Sequence, residues 1–124
     1  MAYKIEVSAE KTYIILTVTG DLTNEQAMQQ NIEAHALGKS LGISRFFVDM
    51  VESRFVGSTL NHYEFVNKDM NESDVINRYA RVVALVHPDD HSHDFMETVS
   101  KNNGHDLTLF RDREAAIHYL IQDL

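Results

Sequence analysis

The sequence predicts one α/β domain in which strand–helix units follow a β-hairpin. Two closely spaced β-type segments open the chain, and three further apolar segments alternate with stretches of helical periodicity. The predicted order is β-β-α-β-α-β-α-β-α, which implies a mixed, mostly parallel sheet with helices packed on it. A chain of 124 residues is long enough for one hydrophobic core, so we expect residues 1–124 to form a single domain.

The amino-acid composition excludes several classes of binding partner and of chemistry. With 44% hydrophobic and 24% charged residues, the chain has the composition of a soluble globular protein. The formal net charge of −8 and the scattered lysines and arginines argue against nucleic-acid binding. There is no cysteine, which excludes disulfides and thiolate ligands. No apolar run approaches the roughly 20 residues of a membrane span, and the N-terminus lacks a signal-peptide pattern, so we expect a cytoplasmic protein.

The first two strands form the predicted hairpin. Residues 3–7 alternate apolar and charged side chains, as in a strand with one solvent-facing side. Residues 13–18 are denser in β-branched side chains, which indicates a more central strand. The short gap between the two segments predicts an antiparallel pair, and we expect Gly20 and Asp21 to end the second strand.

A helix follows the hairpin. Thr23 and Gln26 match a capping box, in which each side chain accepts a hydrogen bond from the backbone amide of the other residue. We expect this helix to run to about Lys39, with His35 partly covered where the helix meets the sheet. The predicted buried stripe has i, i+4, i+8 spacing and consists of Met28, Ile32 and Ala36.

The central segment predicts a strand, a tight connection and a helix. Residues 45–50 are nearly continuous in apolar character, as in a strand buried on both faces. The connection covers residues 51–57 and ends in Gly57, and the helix opens at Ser58. The apolar side of that helix consists of Leu60, Tyr63, Val66 and Met70.

The C-terminal half continues the alternation. Arg81–Val86 is predicted as a second central strand that Pro88 ends, and Asp89 or Asp90 is expected to cap the next helix. The core residues of that helix are Phe95, Met96 and Val99.

Gly104 has the position of a helix-ending glycine, and residues 107–110 form a short strand. Asp112 then caps the last helix, which has Glu114 in its first turn. Its predicted apolar face consists of Ala116, Ile117, Leu120, Ile121 and Leu124.

The order of elements and the segment DMVESRFVGSTL, residues 49–60, resemble the STAS domain of anti-sigma-factor antagonists of the SpoIIAA type. In that family a strand-end Asp, a hydrophobic pair and a serine pair precede a helix. Asp49 matches the Asp, Phe55 and Val56 the hydrophobic pair, and Ser58 and Thr59 the serine pair.

The resemblance implies a protein partner, kinase-like or anti-sigma-like, and phosphorylation of the first serine of the pair, here Ser58. Gly57 stands where the family has an acidic residue, and Leu60 stands where it has a glycine. The C-terminal pattern is more similar to the divergent SpoIIAA-like branch, which has been grouped with the CRAL-TRIO lipid-transfer fold.

Ser58 has two interpretations that the sequence leaves open. A phosphate there would lie at a helix N-terminus, where the free amides and the helix dipole favour added negative charge. The alternative is that Ser58 is only an N-cap, and Thr59 carries the same ambiguity. We expect Asp49 to accept backbone amides of the following connection. A phospho-acceptor role for it would need an acidic pair after the first strand and a lysine after the last, and both are absent.

The segment HPDDHSHD, residues 87–94, is the densest group of candidate ligands. Imidazoles and carboxylates suit zinc, nickel or non-haem iron, which makes His87, His91 and His93 the candidate metal ligands. Their spacing matches no established metal motif, and acidic residues at a helix start would give the same composition.

Catalysis has little support in the sequence. It has no phosphate-binding glycine loop, no nucleophile elbow and no Cys–His pair, and a pairing of Ser58 with His62 would lack an orienting third group. We therefore expect a non-enzymatic protein without a cofactor, although the histidine segment leaves the enzyme class open.

Three functional hypotheses follow. The first is a STAS-like regulatory module that binds a protein partner and is switched at Ser58. The second is a carrier of a small apolar ligand, with Phe55 and Tyr63 as candidate contacts. The third is a metal-dependent site at the histidine segment. A homodimer is compatible with all three.

Overall fold

A computed structural model describes residues 2–56, 79–102 and 104–123. In this part of the chain the strands are β1 (Ala2–Val7), β2 (Ile14–Leu22), β3 (Arg45–Phe55), β4 (Arg81–Val86) and β5 (Asp106–Phe110). The helices are α1 (Asn24–Leu41), α2 (Asp94–Asn102) and α3 (Arg113–Leu120). The helix predicted to begin at Ser58 lies outside the described residues.

The sheet has the order β1-β2-β3-β4-β5 across the described strands. β1 and β2 are antiparallel, with Tyr3 opposite Val18. The pairs β2–β3, β3–β4 and β4–β5 are parallel, and Phe46 of β3 aligns with Val82 of β4. The prediction of a mixed, mostly parallel sheet is therefore confirmed.

Two strands are longer than predicted. β2 continues through Gly20 and Asp21 to Leu22, and β3 continues through the predicted connection to Phe55. The two extensions pair with each other, as in the alignment of Leu22 with Phe55. The polar residues of both extensions resemble a loop in the sequence, but in β3 the exposed Glu52 and Arg54 lie on either side of the buried Ser53, as in a strand with two different faces.

The capping box of α1 is confirmed. Thr23 Oγ1 accepts from the Gln26 amide at 3.2 Å, and Gln26 Oε1 accepts from the Thr23 amide at 3.0 Å. Gly42 ends the helix in the left-handed conformation, with φ 70°.

The predicted buried stripe of α1 is wrong, because a different face of the helix packs on the sheet. Met28 and Ile32 are half-buried and Ala36 is exposed. The residues that do face the sheet are Ala27, Gln30, Ala34, His35 and Gly38. The small side chains among them let the helix lie close to the sheet, and a Cβ on Gly38 would come within 2.9 Å of Phe46 Cζ.

The helices cover both faces of the sheet. α1 and α2 pack on one face, over a core that includes Leu16, Val18 and Met50. α3 packs on the other face, against Phe47 and Val83. Side chains alternate along each strand, so the near-continuous apolar runs of β3 and β4 supply both cores.

Some predicted details of α2 and α3 are wrong. Phe95 is 37% exposed rather than in the core, since it lies on the outer side of α2. Neither Asp89 nor Asp90 caps α2, because the helix begins only at Asp94. α3 ends at Leu120, which leaves Ile121 exposed instead of on the packed face.

Other end signals of these helices are confirmed. Asp112 caps α3 by accepting from the Ala115 amide at 3.4 Å, and Glu114 lies in the first turn. Gly104, just after α2, has φ 83°, a conformation that favours glycine.

Two arginines hold the C-terminal end of α3. Arg45 and Arg81 are aligned neighbours at the amino ends of β3 and β4. Arg45 Nη1 donates to the carbonyls of Leu120 at 2.7 Å and Gln122 at 2.8 Å. Arg81 Nη1 donates to the Gln122 carbonyl at 3.1 Å. The positive charges meet the negative end of the helix dipole and satisfy carbonyls that the helix leaves open.

Candidate functional site

A β-bulge in β3 decides which side chains its carboxyl end presents to α1 and α2. β2 advances two residues from Thr17 to Thr19, while β3 advances three from Asp49 to Glu52. One extra residue reverses the face of every later side chain, because side chains alternate along a strand. Phe55 therefore faces α1 and α2, as the even-numbered residues of β3 do before the bulge.

The chain just beyond the bulge is fixed by backbone hydrogen bonds. The Phe55 amide donates to Ser92 Oγ at 3.2 Å, and the Val56 amide donates to the Leu22 carbonyl at 3.0 Å. The residues that immediately precede Gly57 are thus held by β2 on one side and by the segment before α2 on the other.

His93 joins the start of α2 to the end of β3. Its side chain is 1% exposed, and its Nε2 lies 3.2 Å from the Ser53 carbonyl and 3.4 Å from Asp90 Oδ2. Its ring meets the Phe55 ring edge-on, with centroids 5.1 Å apart. A polar group is therefore built into the apolar contact between β3 and α2.

Asp90 is an ionised carboxylate at this contact. Its Oδ1 accepts from the Ser92 amide at 2.8 Å and lies 3.9 Å from Arg54 Nε. Burial by itself raises the pKa of Asp90. The hydrogen bonds from Ser92 and the attraction to His93 and Arg54 outweigh burial, so that the pKa lies below its ordinary value.

His91 and His87 have other partners. His91 Nδ1 lies 2.8 Å from Asp94 Oδ2, and Arg111 Nη2 donates to Asp94 Oδ1 at 3.1 Å. The hydrogen bond with His91 and, after it, that from Arg111 hold the pKa of Asp94 below its ordinary value against the opposing effect of burial. His87 Nδ1 accepts from the Asp89 amide at 3.1 Å.

The structure does not bring the three candidate metal ligands together. His87 turns to a backbone amide, His91 to Asp94 and His93 to the end of β3. Within residues 2–56, 79–102 and 104–123, no group of three or more His, Asp or Glu side chains is arranged to hold a metal ion. A metal site here would require the three imidazoles to reorient, and it stays a prediction.

Asp49 lies on the face of the sheet that α3 covers. Its Oδ1 accepts from the Val51 amide at 3.2 Å, as expected from the sequence, and its Oδ2 accepts from Arg113 Nη2 at 2.7 Å. A depression of about 250 Å³ lies beside it, bordered by Thr17 and Glu52. Asp49 lies within β3 rather than at the strand end.

The remaining predicted site residues, Gly57, Ser58, Thr59 and Tyr63, lie outside the described residues. Of the residues predicted to bind a partner or a ligand, Asp49 and Phe55 lie within the described part of the chain. The bulge puts these two residues on opposite faces of the sheet, so one compact site cannot use both side chains.

A cavity of about 90 Å³ lies between α1, α2 and the sheet. Phe55 and His93 line it near the carboxyl ends of the strands, and Met96 lines it from α2. The apolar floor comes from four neighbouring strands and consists of Leu16, Val18, Val48, Met50, Val82, Ala84, Leu107 and Leu109.

The polar residues of this cavity are not predicted from the sequence. Gln30, Ser100 and His105 line it and are nearly fully buried, together with His35. One signal was present in the sequence. Small residues recur along α1 at positions 27, 34 and 38, which marks the closely packed face of the helix and places Gln30 on it.

Comparison of the whole structure with solved structures decides the fold. An uncharacterized protein of the DUF3478 family from Shewanella loihica PV-4, described as having a SpoIIAA-like fold, matches with a TM-score of 0.55 and 20% identity. The match covers 96% of this chain and 92% of that chain. The chain has a SpoIIAA-like fold. The anti-sigma factor antagonist SpoIIAA in its unphosphorylated form matches with a TM-score of 0.56 and 15% identity, over 98% of this chain and 99% of that chain.

The SpoIIAA-like fold agrees with the domain resemblance seen in the sequence. No family model matches the chain, and no curated protein matches it. In the part of the chain that the structure describes, no helix combines the length and the apolar character needed to cross a bilayer.

Proposed function

We propose that this protein is a regulatory binding module that acts by docking to a protein partner and not by catalysis. The observation that carries the proposal is the SpoIIAA-like fold over nearly the whole chain, shared with a protein named as an anti-sigma factor antagonist. The partner would be kinase-like or anti-sigma-like. The module would act in the cytoplasm as one domain, alone or as a homodimer.

Phosphorylation of Ser58 is the proposed switch. A phosphate adds one and a half to two negative charges, roughly, and changes how a docking surface attracts its partner. The hydrogen bonds that hold Phe55 and Val56 support this role. With the chain before Gly57 anchored, added charge would alter the surface while the sheet stays intact.

The test uses the tagged chain in its own cells, as wild type, Ser58→Ala and Ser58→Asp. Ser40→Asp is the matched control, since Ser40 is exposed and lies near the end of α1. We expect one protein to be recovered in near-equal amount with wild type and with Ser58→Ala. Ser58→Asp should lower its recovery by about tenfold, because the added charge opposes docking.

Thermal unfolding of Ser58→Ala completes the test, because aspartate can replace serine as a helix cap and alanine cannot. A transition close to that of wild type would support a switch, whereas a loss of about 1 kcal/mol would identify Ser58 as a helix cap. Recovery of the same protein in equal amounts with Ser58→Asp and Ser40→Asp would contradict the proposed switch.

A second candidate function is the carrying of a small, mostly apolar ligand. The observation that favours it is the cavity of about 90 Å³, whose floor is apolar along four strands and which Phe55 lines. Native mass spectrometry of gently purified protein tests this function. A bound organic molecule that dissociates when the protein unfolds would support the carrier function. Protein that contains no such molecule and also takes up no added apolar probe would count against it.

A further inference from the structure

The cavity between α1, α2 and the sheet has an apolar floor, and polar side chains lie at one end of it. Ser100, in the last turn of α2, accepts a hydrogen bond from the His105 amide at 2.9 Å through its carbonyl. His35 approaches the same end from α1, and its pKa is influenced by the charge of His105. These three side chains are buried at the end of the cavity that adjoins the amino ends of β4 and β5.

Ser100 is the residue that points to a ligand. Its side chain is 1% exposed, and its Oγ makes no hydrogen bond with any residue in the described ranges. A buried hydroxyl without a partner is unfavourable, and most buried polar groups in folded proteins are satisfied. Because Ser100 lines the cavity, a ligand atom inside it could supply the missing hydrogen bond.

The volume of the cavity limits the size of the ligand. An engineered apolar cavity of roughly 150 Å³ binds benzene. The cavity here has about 90 Å³, which is smaller and suits a five-membered ring or a short branched chain. A long-chain lipid would not fit within these walls.

The charges around the cavity limit the chemistry of the ligand. No lysine or arginine is among the described lining residues, so an anion would meet no permanent positive charge. Burial, with a smaller contribution from His105, lowers the pKa of His35 to about 4, so its imidazole is neutral at pH 7. Asp106 is the one carboxylate among the described lining residues, and it already accepts a hydrogen bond from the Tyr119 hydroxyl at 3.1 Å.

We propose that this cavity binds a small, neutral, mostly apolar molecule whose single hydroxyl or carbonyl group hydrogen-bonds to Ser100 Oγ. This inference rests on the second candidate function and names its ligand class. The serine hydroxyl can donate to a carbonyl or exchange hydrogen bonds with a hydroxyl, while the floor residues contact the hydrocarbon part.

The test compares four probes on the purified full chain. Cyclopentanol carries the proposed polar group, methylcyclopentane lacks it, cyclopentanecarboxylate is charged, and 1-decanol is too long. Binding is followed by the methyl NMR signals of Leu16, Val48 and Leu107, which line the cavity. We expect saturable shifts with cyclopentanol, weaker binding of methylcyclopentane, and no binding of the carboxylate or of decanol.

Ser100→Ala separates the hydrogen bond from the apolar contact. It should weaken cyclopentanol binding about five- to tenfold and leave methylcyclopentane almost unchanged, because one buried hydrogen bond is lost. Ser40→Ala is the control on the surface, where the Ser40 hydroxyl donates to the Leu37 carbonyl at 2.8 Å. Ala84→Leu, or Val82→Leu if the first variant does not fold, should fill the cavity and weaken both probes.

Different failures have different meanings. Equal binding of both uncharged rings, with no effect of Ser100→Ala, would overturn the assignment of the polar group and leave the carrier function standing. Binding of the carboxylate or of decanol would overturn the ligand class. No saturable shift with any probe would overturn both this inference and the carrier function.

Discussion

His35 of α1 lies stacked on Phe46 of β3, with ring centroids 4.3 Å apart and ring planes inclined by 18°. The imidazole is buried there, 7% exposed, on the face that α1 presents to the sheet. Burial first, and the nearby His105 second, lower its pKa from 6.5 to about 4. His35 thus serves as a flat, neutral ring in the core.

The pKa of His35 predicts acid sensitivity. Protonation disfavours the folded state because the folded pKa lies below the unfolded one, so the stabilising effect is complete above pH 6.5 and is lost as the pH falls towards 4. The full loss is roughly 3 kcal/mol, since each pKa unit is worth about 1.4 kcal/mol. Urea unfolding at a series of pH values measures it. His35→Phe keeps the stack and should have a flatter profile, while equal profiles would disprove the assignment.

Gly38→Ala should destabilise the protein, although alanine favours helices. The added Cβ would lie 2.7 Å from the Ile43 carbonyl oxygen and 2.9 Å from Phe46 Cζ, and the backbone oxygen cannot move freely. We expect a loss of about 1–3 kcal/mol in the free energy of unfolding, typical of an overpacked core.

Gly42→Ala provides the comparison for Gly38. Gly42 has φ +70° and open space around its Cα, so the cost there is conformational and about 1 kcal/mol. Asparagine at position 42 should cost less than alanine, whereas asparagine at position 38 should cost more. Stabilisation by Gly38→Ala would contradict the close approach of α1 to β3.

Asp49 contributes to the stability of the fold through two hydrogen bonds that different substitutions remove. Asp49→Asn can still accept from the Val51 amide but loses the charge that faces Arg113, so we expect a cost of up to about 1 kcal/mol. Asp49→Ala loses both bonds and should cost about 1 kcal/mol more. Measurement of the free energy of unfolding at low and high salt distinguishes the two variants. The asparagine variant should approach wild type in high salt, and the alanine variant should stay less stable.

Arg45→Met should loosen the last turn of α3. Its guanidinium bonds the carbonyls of Leu120 and Gln122, and Arg81 bonds Gln122 as well. Amide hydrogen exchange should accelerate about five- to tenfold at Ile121, whose amide bonds the Ile117 carbonyl. Lys39→Met is the control at the end of α1. Unchanged exchange at Ile121 in Arg45→Met would show that the Arg45 hydrogen bonds do not stabilise the last turn of α3.

Most of the fold could be predicted because local chemistry specifies it. The capping box at Thr23 and the caps at Asp112 and Gly104 depend on neighbours within a few residues, and each is observed. The end of β3 could not be predicted. Residues 51–55 carry three consecutive polar side chains between Val51 and Phe55, as a surface connection does, and pairing with the extension of β2 makes them a strand.

The candidate site was harder to predict than the fold. Phe55 is a predicted ligand contact, but its place in the cavity depends on the bulge, which the composition does not reveal. Ser100, Gln30 and His105 were missed because polar residues are normally assigned to the surface. The three histidines from 87 to 93 are close in sequence, yet the turn between them directs each ring to a different partner.

The strand order also bears on how the chain folds as it is synthesised. Each described strand pairs with the one made before it, so the sheet can grow at one edge as the ribosome releases the chain, starting from the hairpin. α1 reaches its face early. Among the described helices, the one that packs against Phe47 and Val83 on the opposite face is α3, which emerges last. Until residues 113–120 emerge, Phe47 and Val83 lack their packing against Ala116 and Leu120, and this is the stage at which a holding chaperone would be most useful.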